Sequence, residues 1–196
     1  MGIPPDFGSG DELPKDKRGV RILGIDPGTL HTGWGVVESK KGSLCEIAHG
    51  AIGSSGAQRQ ENRLRRIYHG LKEMIALYKP QAVSLEKVFF ARNAQSALKL
   101  GQARGVALLA AAESGVAVHE YSSTEIKMAV VGYGRAGKPQ VQDMVASLLH
   151  LSSRISADAA DALAAAICHC HQGSYHERVT AALSPGGRGR RRWGTT

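Results

Sequence analysis

GIDPGTLHTGWGVV, residues 24–37, decides how the chain folds. It completes one apolar run, VRILGID at 20–26, turns through Pro27 and Gly28, and opens a second, TGWGVVE at 32–38. Runs this short, rich in β-branched residues and bounded by Pro and Gly, read as strands. The first is apolar on both faces, which suits the centre of a sheet. Yet it ends on Asp26, and a carboxylate taken out of water is costly unless something compensates it. The fold and the purpose of Asp26 are therefore one question.

Further along, SKKGS at 39–43 is a tight turn and LCEIAHGAI at 44–52 a third strand. A helix is predicted from Ala57 to Tyr78, with Leu64, Ile67, Tyr68, Leu71, Ile75 and Tyr78 as its apolar stripe. Lys79-Pro80 ends it. AVSLE at 82–86 is a fourth strand, 93–113 a long helix and VAVHEY at 116–121 a fifth strand. Ser123 is positioned to cap a short helix through Val131, GYGRAGKP at 132–139 reads as a loop, and helices follow at 139–149 and 157–171. Three antiparallel strands, then alternating helices and strands, predict an α/β fold: a mixed five-stranded sheet flanked by helices. The Gly- and Pro-rich residues 1–19 read as a disordered leader, 20–175 as the domain and 176–196 as a flexible basic tail.

The 196 residues suit one domain, and 42% hydrophobic content suffices for a core. Lys and Arg outnumber Asp and Glu by 25 to 17, a net charge of +8. That excess favours a polyanionic partner, nucleic acid ahead of an acidic membrane surface. Three cysteines, Cys45, Cys168 and Cys170, are too few and too oddly placed for a disulfide framework, and a reducing cytoplasm fits them. No signal-peptide pattern opens the chain and no apolar run is long enough to span a bilayer. The stretch Cys168-His169-Cys170-His171 continues an Ala-rich helix, so consecutive side chains diverge and do not close around a zinc ion.

Glu86 ends the fourth strand as Asp26 ends the first. A lone acid in such a place is commonly a turn former or a helix cap. Two acids at the carboxyl ends of apolar strands, where α/β sheets hold ligands, invite another reading. SADAAD at 156–161 adds Asp158 and Asp161, one helical turn apart on one face. By themselves they suit a helix N-terminus capped by Ser156. The alanines at 157, 159, 160 and 162, however, let that helix lie close to the sheet and bring its acids to the strand ends. Four converging carboxylates would raise one another's pKa unless a cation intervened. A hard divalent ion such as Mg²⁺ suits them, and two such ions can drive phosphodiester hydrolysis. Acids for metal and basic residues for phosphate make a nuclease candidate.

ILGIDPGTLHTGWGVV, LEKVFFARNAQSALKLGQARG and ADAADALAAAICHCH, in this order between Arg21 and His171, closely resemble the motifs of RuvC-type Holliday-junction resolvases. The resemblance implies an RNase H-like fold, a homodimer, and Mg²⁺-dependent paired cutting of four-way DNA junctions, with two Mg²⁺ per site and Mn²⁺ as a substitute. It implies branch-migration motor partners of the RuvA and RuvB type. It sets the family's catalytic, metal-binding acids on Asp26, Glu86, Asp158 and Asp161. The junction-inserting aromatic falls on Phe89, the neighbouring basic residue and amide on Arg92 and Asn93, and lysines near the scissile phosphate on Lys127 and Lys138. Without the resemblance, Phe89 and Phe90 would read as core residues and the lysines as solvated charges. The leader and tail lie outside the match.

Rival readings remain at this level. The DPGT turn at 26–29 resembles that of actin-like and sugar-kinase ATPases, but the chain offers no second such turn after a strand. An RNase H-like nuclease acting on RNA or other DNA structures, like the YqgF proteins, is a second alternative, against which the long ALKLGQARG helix and the Phe pair argue for the junction enzyme. A junction binder without chemistry would have lost one of the four acids, and all four are present.

Overall fold

The structure, a computed structural model, describes residues 19–87, 94–153 and 155–183. The strands are β1 (Val20–Asp26), β2 (His31–Lys40), β3 (Ser43–Gly53), β4 (Ala82–Glu86) and β5 (Ala117–Tyr121). They form one sheet in the order β3-β2-β1-β4-β5, so β1 lies at its centre as its two apolar faces require. β1, β2 and β3 pair antiparallel, whereas β1, β4 and β5 pair parallel. The helices among the described residues are α1 (Gln60–Tyr78), α2 (Ala94–Glu113), α3 (Ser123–Val131), α4 (Lys138–Leu148) and α5 (Ala157–Leu183). None is long and apolar enough to cross a membrane.

Strand alternation divides the core between the two faces. Leu23, Ile25, Val36, Val83 and Leu85 face α1 and α2, which contribute Ile67, Leu71, Ile75 and the alanines at 103, 107, 110 and 111. Ile22, Val37 and Ala82 face α5, flanked by α3 and α4. The predicted α1 stripe holds: Ile67, Leu71 and Ile75 are buried, and Leu64, Tyr68 and Tyr78 pack against them.

On the second face α5 sits unusually low. A Cβ on Gly24 would lie 1.8 Å from the Ala162 carbonyl oxygen, and one on Gly33 would lie 2.0 Å from that of Asp158. One on Gly35 would lie 2.5 Å from the Leu163 side chain. Gly24 pairs with Gly35, and Gly33 pairs with Asp26, so these glycines share the face that carries Asp26. The sheet thus has a trough lacking side chains, and the alanines of α5 fill it. Ser84, fully buried on the same face, donates a hydrogen bond of 2.7 Å to the Ala165 carbonyl.

Several boundaries differ from the sequence reading. α1 starts at Gln60, not Ala57, because a turn at 55–58 occupies the intervening backbone: Gln58 N–H bonds to the Ser55 carbonyl and Ala57 N–H to Ser55 Oγ. The cap of α3 is Ser122, not Ser123; its Oγ accepts from Glu125 N–H while the Glu125 carboxylate accepts from Ser122 N–H. That reciprocal pair is a capping box. Lys138 opens α4 instead of lying in the preceding loop, since extended Gly137 is the N-cap and Pro139 suits the first turn. α5 runs through Leu183, past His171 and into the segment assigned to the tail. No proline interrupts it before Pro185.

Candidate active site

Asp26 and Glu86 stand side by side. β1 and β4 are parallel neighbours whose register pairs Ile25 with Leu85, and each acid is the next residue. The loop after Asp26 is closed by buried Thr32, whose Oγ1 donates to the Gly28 carbonyl at 2.7 Å. Asp158 and Asp161 lie in the first turns of α5, brought down on Asp26 by the trough at Gly33. Tertiary structure thus gathers all four acids at one end of the sheet.

The electrostatics register the crowding. Asp26 is pushed up to about 7, first by burial and then by the charges of Asp161, Asp158 and Glu86. Lys138 opposes the shift. Its Nζ lies 2.6 Å from Asp161 Oδ2, and that hydrogen bond holds the ammonium above the usual lysine range. Lys127 and Lys138 line one cleft of about 220 Å³ with Glu86, Asp161 and Ser123. Both predicted lysines and two of the four predicted acids therefore line one cleft. Phe89, Arg92 and Asn93 lie outside the described residues.

Among the described residues no three acidic, His or Cys side chains already stand arranged to hold a metal ion; it is the chemistry of the four acids that suits a divalent cation. Crowded oxygen donors of like charge, one of them raised towards neutrality by burial and by its acidic neighbours, are the environment that hard cations occupy. Cys168 and Cys170, by contrast, are buried in the core between α5 and the sheet. Burial pushes both thiols up to about 12. The His169 ring packs at a tilt against that of His119 and shares a 2.7 Å hydrogen bond with the Tyr121 hydroxyl. Burial and the neighbouring His119 hold it down to about 4, so it stays neutral and structural.

A profile described as crossover junction endodeoxyribonuclease RuvC matches residues 22–169. The chain belongs to the RuvC family. The RuvC of Citrifermentans bemidjiense is 52% identical over 150 residues, covering 76% of this chain and 92% of that protein. The RuvC of Hahella chejuensis is 49% identical over 173 residues, covering 88% and 99%. Among solved structures, T. thermophilus RuvC in complex with a Holliday junction substrate is 34% identical, with a TM-score of 0.77 over 80% of this chain and 96% of that one. The yeast mitochondrial Holliday junction resolvase Ydc2, 11% identical with a TM-score of 0.62, shares the fold. RuvC membership makes the sheet and its helices RNase H-like, makes the chain a nuclease by descent, and implies dependence on a divalent metal. The actin-like reading falls with it.

The sequence reading missed the trough at Gly24, Gly33 and Gly35. Its trace was visible, because Gly33 and Gly35 are two apart and so share a strand face. Placing Gly24 opposite them needed the pairing register. It also missed Thr32, whose role depends on a backbone carbonyl four residues away.

Proposed function

We propose that the protein resolves four-way DNA junctions by paired, symmetric hydrolytic nicks in two strands of like polarity. The observation that carries this reading is the convergence of Asp26, Glu86, Asp158 and Asp161 beside Lys127 and Lys138 in a RuvC fold. In this reading the four carboxylates hold two Mg²⁺, with Mn²⁺ able to substitute. When bound, the metals supply the charge that makes water a nucleophile at neutral pH and that stabilises the leaving oxygen. Asp26, at the point where both strand and helix acids meet, fixes the spacing of the metal ligands. Lys127 and Lys138 would hold the scissile phosphate, Lys138 exchanging its contact with Asp161 for one with the phosphate. Arg92 and Asn93 contact the adjoining backbone. The protein acts in the cytoplasm with branch-migration motor proteins of the RuvA and RuvB type. Nicking of a synthetic four-way junction, compared with linear duplex and RNA hybrids and with and without Mg²⁺, tests the reading. Cutting of linear or hybrid substrates as fast as the junction would replace it with the YqgF-like alternative.

Two symmetric strands to cut and one site per chain call for a two-fold dimer. The surface of α2 supports one. Leu98 is 69% exposed and Leu109 51%, and open space surrounds Gly101 and Gly105. This face runs along the helix opposite the buried alanines, and small residues let a partner helix approach. Leu98→Glu is expected to shift the protein from dimer to monomer in sedimentation at micromolar concentration. An unchanged dimer would place the interface elsewhere.

Phe89 is the proposed wedge at the junction centre. Unstacking a base step costs about a few kcal/mol, and an inserted ring offsets part of it. Phe89→Ala is expected to bind intact junctions nearly normally and cut them slowly. A junction already unpaired at its centre should recover much of the lost rate; equal impairment on both substrates would reject the wedge.

A further inference from the structure

Glu86 is held from both sides of the sheet. Its carboxylate faces α5 and the other acids. Its backbone carbonyl is held from the side of α2, where Arg104 Nη1 donates to it at 2.9 Å. The other nitrogen of the same fork pairs with the carboxylate of Glu120 on β5. Glu120 pairs with Leu85 in the ladder and therefore shares its face, the one toward α1 and α2. The Arg104 side chain is only 18% exposed, so it is fixed by these contacts and by the packing of α2.

The location matters because β4 ends here. The Lys87 N–H still bonds to the Tyr121 carbonyl at 2.7 Å, and among the described residues the ladder goes no further. A strand's last carbonyl has no ladder partner of its own unless another group supplies one. A guanidinium suits the task, since its rigid fork can serve a carbonyl and a carboxylate together, and the charged pair holds it in place. A lysine has the charge without the fork.

We propose that Arg104 is a positioning residue for Glu86: anchored on Glu120, it fixes the end of β4 and so sets where the Glu86 carboxylate meets the metals. This rests on the reading of Glu86 as a metal ligand. Groups that orient metal ligands without touching the metal typically change affinity or rate by about 10–100-fold when removed. Misplacing a reacting group by about an ångström has an effect of similar size. Because α2 also carries the proposed dimer face, one side chain ties that helix to a catalytic strand.

The test uses the full-length chain with Arg104→Gln, Arg104→Lys and Glu120→Gln. The first readout needs no DNA: the rise in melting temperature on titrating Mg²⁺ and Mn²⁺, which reports metal binding to the folded protein. The second is the single-turnover nicking rate on a four-way junction across Mg²⁺ concentrations, with junction affinity measured separately in EDTA. Arg104→Gln is expected to need about tenfold more metal for both readouts and to bind junctions within about twofold of the native chain. Arg104→Lys should fall between, since it retains one contact at a time. The double variant Arg104→Gln/Glu120→Gln should be no worse than Arg104→Gln alone, because both changes break one arrangement. An unchanged metal midpoint in Arg104→Gln would overturn the proposal, as would equal losses of junction binding and nicking. Should Arg104→Gln fail to fold, an unchanged midpoint in both Arg104→Lys and Glu120→Gln would overturn it. A native chain that binds metal but leaves junctions uncut would sink the functional reading instead, and the metal titration would still decide the role of Arg104.

Discussion

Asp26→Asn is expected to melt at a higher temperature than the native chain in metal-free buffer at pH 8, and to nick junctions at least about a hundredfold more slowly. The two effects share a cause. In the folded chain Asp26 ionises near pH 7, against 3.8 for an ordinary aspartate. Between those values the folded protein keeps a proton that the unfolded chain releases, so raising the pH favours unfolding. The penalty is absent below about pH 4, grows up to about pH 7 and is complete above it, reaching a few kcal/mol at most. Asparagine preserves the shape and removes the charge, so the gain should appear at pH 8 and vanish near pH 4. Mg²⁺ should stabilise the native chain and do much less for the variant. Junction binding should persist, because it rests on phosphate contacts to basic residues. Thermal denaturation in EDTA at both pH values, with single-turnover nicking alongside, measures all of this. A variant that melts lower at pH 8, or that cuts within tenfold of the native rate, would remove Asp26 from the centre of the site.

Gly33→Ala should be nearly as damaging although it adds one methyl group and touches no charge. The new Cβ would lie 2.0 Å from the Asp158 carbonyl oxygen, a backbone atom that cannot swing aside. Either β2 or the first turn of α5 must move. Overpacking of this kind costs about 1–3 kcal/mol. The larger effect is on rate, since lifting α5 carries Asp158 and Asp161 away from Asp26 together, and an error of about an ångström costs on the order of a hundredfold. Gly173→Ala, farther along the same helix in open space, supplies the comparison: it should be neutral or stabilising by up to about 1 kcal/mol. A Gly33→Ala protein as stable and active as the Gly173→Ala protein would show that the close approach of α5 does not set the site.

The strands and the four acids could be read from the sequence because each signal is local. Apolar runs end at turns, and Asp158 and Asp161 stand one helical turn apart. The central position of β1 followed from its two apolar faces. Less legible were features made by pairing distant segments. Gly24 becomes part of the trough only once it is opposite Gly35. Arg104 meets Glu120 and a carbonyl of Glu86 across two elements, and a carbonyl leaves no mark in sequence. The cap of α3 was legible in principle, since Ser122 and Glu125 have capping-box spacing, but the adjacent Ser123 offered the same chemistry. Phe89, Arg92 and Asn93 were identified by resemblance, and their roles await the DNA substrate.

The contact between Lys138 and Asp161 has a meaning for the life of the protein between substrates. A nuclease spends most of its time idle, and an idle pocket of acids without cations pushes its own walls apart. Here the chain brings a counter-ion on a tether. The lysine is attached a few methylenes from the backbone, so it neither diffuses away when the pocket fills nor has to be recruited when it empties. The same tether means that any cation entering the pocket meets a charge already there.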